Sequence, residues 1–151
     1  MSARDGDGWI HCACGNKHWG LFGAAGLLLL RGTHILVQHR APWVHNGDTW
    51  GIPGGARDSH ESVVEAAMRE AQEEIGIDPV HIRPLQTFTD DHGSWRYDTV
   101  IAQVTDQLVA HELNDESHEV RWVDIDQVDE LTLHPSFEKT WPALKGLIKA
   151  L

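Results

Sequence analysis

Residues 55–77 read GARDSHESVVEAAMREAQEEIGI: a glycine and a short polar stretch, then an amphipathic run closed by a second glycine. Asp58 or Ser59 offers a helix cap, and Glu61, three residues after Asp58, completes the acidic version of a capping box. The spacing predicts a helix from about Ser59 to Ile75. At about 100° per residue, Val64, Ala67, Met68, Ala71 and Ile75 fall on one stripe, the face such a helix buries. Gly76 follows as a C′ glycine. Glu70 and Glu74 flank the apolar stripe and Glu73 sits a little further round, so three carboxylates crowd one side of one helix.

Like charges at this spacing destabilise a helix by a few tenths of a kcal/mol per pair, so compensation is expected. Arg69 can pair with Glu65 or Glu73 at helical spacing, yet one cation does not neutralise the cluster. Hard divalent cations with oxygen ligands would, Mg²⁺ being the usual one where phosphate is present. The competing reading is a solvated acidic helix face.

The register of the whole stretch adds to this. Gly55 is followed by five residues, then Glu61, then seven more, then Arg69-Glu70, Ala71, Gln72, Glu73-Glu74, Ile75, Gly76 and Ile77. This pattern resembles the Nudix box at every defined position, including four glutamates, an arginine and two glycines. The resemblance runs from about Leu21 to Leu151 and leaves residues 1–20 outside as an N-terminal extension, with residues 21–151 as the hydrolase domain. It implies an α/β fold, an α/β/α sandwich with a mixed β-sheet between helices. It also implies a MutT-like enzyme that hydrolyses a phosphoanhydride with Mg²⁺, for which Mn²⁺ substitutes. By resemblance, Glu73 and Glu74 ligate metal and Glu70 is a ligand or the base on the attacking water. Arg69 orients the glutamates, and Glu61 supports the loop or reaches an outer metal. The backbone carbonyl of Gly54, just before the box glycine Gly55, is a further ligand.

Composition bounds the partners. The chain has 151 residues, 12 Lys+Arg against 23 Asp+Glu, and a formal net charge of −11. One domain with a sizeable core is expected. So acidic a surface lacks the electrostatic footprint for nucleic-acid polymers, and its anionic ligands should be small and arrive with metal. The start of the chain has no signal-peptide pattern, and Leu27 to Leu30 is too short to span a bilayer, which makes a cytoplasmic protein without membrane contact the expectation. The oligomeric state is left open.

Residues 1–20 are polar and glycine-rich and carry His11, Cys12, Cys14 and His18. Cys12, Cys14 and His18 supply three ligands of the two types that Zn²⁺ prefers, thiolate and imidazole, although a structural site needs four and no later cysteine completes the set. The competing reading is an extension that merely packs Trp9 and Trp19 on the domain. Ala24 to Leu30 is a continuous apolar run suited to a strand buried on both faces. Thr33 to Arg40 follows as a second strand, at whose end the resemblance singles out Arg40 for the substrate phosphates, against the reading of a surface arginine. Ala41 to Thr49, with Pro42 and Asn46-Gly47, is expected to be irregular and mobile.

Further on, His81 to Thr89 and Trp95 to Thr105 read as a hairpin around Asp90-Asp91-His92-Gly93. A short strand, Glu119 to Val123, follows an acidic loop. In that loop the resemblance makes Glu116 the candidate for a glutamate that returns to the metals, with Glu119 as runner-up. Asp124 to Leu131 suggests one helical turn. Ser136 to Leu151 suggests a closing helix that buries Phe137, Trp141, Leu144, Leu147 and Ile148, with Pro142 marking its first turn. The expected substrate is a small nucleotide, first a nucleoside triphosphate, including oxidised purine forms, cut to monophosphate and pyrophosphate. An ADP-ribose or NDP-sugar pyrophosphatase is the alternative enzyme, and an inactive nucleotide-binding regulatory module the alternative of another class.

Overall fold

The computed structural model describes residues 5–105, 108, 110 and 117–151. A two-stranded ribbon comes first, β1 (Trp9–His11) and β2 (Lys17–Trp19), paired antiparallel with Trp9 opposite Trp19. The main sheet has seven strands: β3 (Ala24–Arg31), β4 (His34–Arg40), β5 (Trp50–Gly51), β6 (Gly54–Ala56), β7 (Ile82–Asp91), β8 (Arg96–Val104) and β9 (Ser117–Asp124). Its central path is β5-β4-β3-β8-β7, with β6 on β3 and β9 on β4. The β3–β8 pair is parallel and the other named pairs antiparallel, so the sheet is mixed.

The apolar run of β3 serves both faces, as its lack of alternation predicts. Leu27 and Leu29 point into a core with Ala66, Ala67, Ala71 and Ile75 of α1 (Val63–Ile75). Leu28 and Leu30 point into a second core with Phe137, Trp141, Leu144 and Ile148 of α2 (Pro135–Lys149). One helix on each face makes the α/β/α sandwich. No helix among the described residues is long and apolar enough to cross a membrane.

Three local expectations are corrected. Helix α1 starts at Val63, four residues later than expected, because Ser62 is the cap: its hydroxyl accepts from Glu65 N while the Glu65 carboxylate accepts from Ser62 N. Asp58 and Glu61 instead close a turn ahead of the helix, with Asp58 N donating to Glu61 Oε1. The buried stripe is rotated accordingly, so Val64 is exposed while Ala66 and Glu70 face inward. Gly76 caps the C-terminus at φ 63°, where a Cβ would be strained. In α2 the first-turn proline is Pro135, and Pro142 lies inside the helix. It is tolerated on the exposed face, where the carbonyl of Glu138 that loses its amide partner can be hydrated.

The loop expected to be mobile is wound on itself. Arg40 N donates to Thr49 O, Asp48 N to Arg40 O, Gly47 N to Val44 O and Thr49 Oγ1 to Asn46 O. Residues 132–134 tie β5 to α2, with Trp50 N on Thr132 O and His134 N on Trp50 O, and His134 Nδ1 accepts from Ser136 N to cap α2. Burial, then the positive Arg40 and His45 nearby, hold the His134 imidazole down to about 4 from an ordinary 6.5. The unfolded chain therefore takes up a proton as pH falls through 6.5 while the folded chain does not, so stability is lost between pH 6.5 and about 4. Thermal melts across this window should fall more steeply for the natural chain than for His134→Asn, which keeps a capping side chain without the titration. Parallel curves would refute the assignment.

Candidate active site

The carboxylates of α1 face β6 and the strand end of β4. Their arrangement is set by Arg69, whose side chain is 22% exposed. Its Nε donates to Glu61 Oε2 at 2.6 Å and one terminal nitrogen to Glu61 Oε1 at 2.8 Å, a bidentate pair with a carboxylate only 8% exposed. That same nitrogen donates to Ala56 O at 3.1 Å, and the other donates to Glu70 Oε1 at 2.9 Å. Asp58 and Glu73 complete the ring of anions at 3.6 and 3.5 Å. Of the two helical partners expected for Arg69, Glu73 is engaged and Glu65 is taken by the cap. The Arg69 hydrogen bonds hold the Glu61 carboxyl below the ordinary carboxylate range against the opposing effect of burial, and the same bonds raise Arg69.

Glu70 is buried against β6. A Cβ added to Gly55 would lie 2.5 Å from the Glu70 carboxyl carbon and 2.6 and 2.7 Å from its oxygens, so only glycine lets the carboxylate lie on the strand. Glu74 accepts from Gly54 N at 2.9 Å through one oxygen and from Gln38 Nε2 at 3.3 Å through the other. Glu73 points outward, 46% exposed, within reach of Arg69. Carboxylate and backbone oxygens are hard donors, the chemistry that Mg²⁺ and Mn²⁺ take in preference to soft cations.

Sequence reading missed two members of this site. Gln38, on the strand that ends at Arg40, is 4% exposed and holds Glu74. Tyr97, the only tyrosine in the chain, sets its hydroxyl where a Cβ on Gly26 or Gly54 would stand, 2.0 and 2.6 Å away. Burial first, then the charges of Glu74 and Glu70, push this phenol well above its ordinary range and keep it protonated. For Gln38 the available signal was a polar residue directly after the apolar run Ile35-Leu36-Val37; β8, with Arg96, Asp98, Thr99 and Gln103 beside Tyr97, offered none.

Other expected residues stand elsewhere. Arg40 turns back on its own loop, donating from Nε and a terminal nitrogen to His45 O at 3.2 and 2.9 Å. Glu119 pairs in register with His39, whose ring packs on Trp50, and binds Arg121, which lies over Trp50. Since strand residues alternate faces, this puts Glu119 on the α2 side, opposite Gln38 and Glu74. Glu116 lies outside the described residues.

The family model of the NUDIX domain matches residues 21–144. The chain belongs to the Nudix hydrolase family. It is 46% identical over 157 residues to a nucleoside triphosphate pyrophosphatase/Nudix hydrolase fusion protein of Bifidobacterium longum, with 98% of this chain and 33% of the relative covered. It is 43% identical to a provisionally named 8-oxo-dGTP diphosphatase 3 of Mycobacterium tuberculosis over 93% of this chain and 70% of that protein. The chain thus spans about a third of the first relative's length. A crystal structure of a Nudix hydrolase from M. smegmatis, RenU, superposes with a TM-score of 0.87 at 41% identity, covering 97% of each chain.

The Arg69–Glu61 pair generates a stability prediction for this Nudix domain. Glu61→Gln leaves Arg69 its contacts to Glu70, Asp58 and Glu73 but removes the charge from its bidentate partner, so it should cost about 2 kcal/mol in urea unfolding, the range of a hydrogen bond to a charged group. Because the folded Glu61 carboxyl is depressed below 4.5, its contribution is present above that pH and lost as pH falls below it. Acid melts of Glu61→Gln should therefore be flatter below pH 4.5 than those of the natural chain. An unchanged midpoint in urea would refute the role.

Proposed function

We propose that the protein is a divalent-metal-dependent nucleoside triphosphate pyrophosphohydrolase that uses Mg²⁺, with Mn²⁺ able to substitute, and acts on oxidised purine forms among its substrates. The observation that carries this reading is the set of Glu70, Glu73 and Glu74 on one turn of α1. Glu70 is locked to Gly55 and Arg69, and Glu74 to Gly54 N and Gln38. Glu73 and Glu74 would hold the metal, with Glu70 as a further ligand or as the base on water. The Gly54 carbonyl would contribute an oxygen, and Glu116, which lies outside the described residues, would be a further ligand. Bound divalent cations would neutralise the crowded phosphate oxygens and make a coordinated water nucleophilic.

The chain's own residues do the rest. Arg69 holds Glu70 by a hydrogen bond and Glu61 by two, so the carboxylates are oriented before substrate arrives, and Glu61 supports the loop entering α1. Gly55, by lacking a side chain, leaves room for both Glu70 and a phosphate group. Release of Arg40 from His45 O would free its guanidinium for phosphate. The water oxygen attacks phosphorus, one bridging P–O bond breaks, and the leaving pyrophosphate carries away the bonding pair while the water proton passes to the base. The name of the Mycobacterium tuberculosis relative favours a nucleoside triphosphate over the alternative anhydrides.

Glu74→Gln should lower kcat by on the order of 10²-fold or more with an unchanged circular dichroism spectrum, as when a stabiliser of developing charge is removed. Excess EDTA should abolish turnover and Mg²⁺ restore it. Full activity in the variant or in EDTA would overturn the metal reading.

Chromatography of the products from 8-oxo-dGTP should show monophosphate and pyrophosphate. Diphosphate and orthophosphate would overturn the cleavage site. ADP-ribose turned over with a kcat/KM about 100-fold higher, or about 2.7 kcal/mol in transition-state stabilisation, would replace the substrate class. Nucleotide binding with no turnover of any anhydride would replace the enzyme by a regulatory module.

A further inference from the structure

The N-terminal ribbon is fastened to the main sheet by groups the hydrolytic site does not use. Between β1 and β2 the chain makes a tight turn, with Cys12 N on Asn16 O, Gly15 N on Cys12 O and Gly15 at φ 93°. This turn brings Cys12, Cys14 and His18 together, so that one ligand atom of each lies within 4.8 Å of the others. Cys14 Sγ stands 3.1 Å from His18 Nε2. With metal bonds of about 2.3 Å to sulfur and about 2.0 Å to nitrogen, ligand atoms of a tetrahedral Zn²⁺ site stand roughly 3.5 to 3.8 Å apart. Small side-chain rotations separate the present arrangement from that one.

Other features support these three ligands from the opposite side. The Cys12 side chain is buried, 8% exposed, although the ribbon around it is mostly exposed. Its Sγ meets the turn of the β7–β8 hairpin, lying 3.0 Å from His92 O and beside the amides of Ser94 and Trp95 as well as that of Cys14. Amides aimed at sulfur stabilise a thiolate. The His18 ring is stacked on Trp95, with centroids 4.1 Å apart and planes at 6°, which fixes the direction of Nε2. His92 packs on His18 at 4.7 Å and is itself held by Asp90 through Nε2 at 2.9 Å. Trp9 and Trp19, expected to pack on the domain, are 52% and 43% exposed and stack edge-on against each other. Little apolar burial therefore holds the ribbon down.

We propose that Cys12, Cys14 and His18 bind one Zn²⁺ ion, with solvent at the fourth position on the side of exposed Cys14, and that this ion clamps the N-terminal ribbon to the β7–β8 turn. Two thiol protons leave to solvent as the two Zn–S bonds form, and the Cys12 contact to His92 O is exchanged for metal. The ion is thiophilic, unlike the hard cations suited to the glutamates, so the two sites sort metals by ligand softness. The clamp stands or falls independently of the hydrolytic reading.

The test is the metal content of the full chain purified from zinc-supplemented cells without chelator, together with a Co²⁺ titration of metal-stripped protein. About one zinc per chain and a thiolate-to-cobalt charge-transfer band are expected in the natural chain. Both should drop at least tenfold in Cys14→Ser and in His18→Ala, each checked for folding by circular dichroism. A zinc-selective chelator should lower the melting temperature of the natural chain and leave that of Cys14→Ser unchanged. Zinc retained equally in the variants would place it outside Cys12, Cys14 and His18 and overturn the clamp. No zinc with no cobalt band in the reduced natural chain, whose titration needs no variant to fold, would overturn it as well.

Discussion

The guanidinium of Arg69 is the constraint on which the site depends. Its donors are shared among Glu61, Glu70 and the Ala56 carbonyl, so a single side chain joins the turn before α1, the helix itself and strand β6. Buried ion pairs often add little net stability, because desolvating both charges offsets their attraction. What they contribute here is geometry. A planar fork allows few arrangements of its acceptors, and a carboxylate bound to it can neither rotate to solvent nor collapse on its neighbour.

The packing of α1 follows from the same requirement. A helix carrying Glu70 on its inward face would be costly over a wide apolar surface, yet the residues beside Glu70 are Ala66, Ala67 and Ala71. Their small side chains bring the helix close to β3 and β6, where Gly54 and Gly55 offer backbone instead of side chains. The helix therefore presents its acids to the strand at hydrogen-bonding range, with Glu74 held by Gly54 N and Gln38. The opposite face of the sheet is built differently: Phe137, Trp141 and Leu144 of α2 fill it with large apolar side chains in place of alanines. One face packs for stability and the other for a site.

The N-terminal segment joins this frame through polar contacts. Gly6 N donates to Asp58 Oδ1, and Ser59 donates from both its backbone and its hydroxyl to Asp5, so the segment grips the turn that Arg69 also holds. On its other side, it meets the hairpin turn at His92 to Trp95.

Much of the fold was legible because it rests on periodicity and on local chemistry. The unbroken apolar run of Ala24 to Leu30 suited a doubly covered strand, and the helical spacing of Phe137, Trp141, Leu144 and Ile148 suited a buried helix face, as the structure shows. Glu70, Glu73, Glu74 and Arg69 were legible as a set because helix geometry alone puts them on neighbouring positions. Which acid serves which partner was not legible. Ser62 displaced Asp58 as the cap because Asp58 is engaged by Gly6, fifty-two residues away in sequence, and such a contact leaves no trace in local spacing. Gln38 and Tyr97 entered the site because β4 and β8 are brought beside α1 and β6 by sheet pairing, and Glu119 was carried to the other face by strand alternation against His39. The sequence by itself determined the long strands, the two helices and the acidic helix face, since these depend on residues within a few turns of one another, while the short strands β1, β2, β5 and β6 went unread. Only the tertiary structure decided the partners of each carboxylate, because hydrogen bonds between distant segments depend on sheet register and on which face each side chain meets.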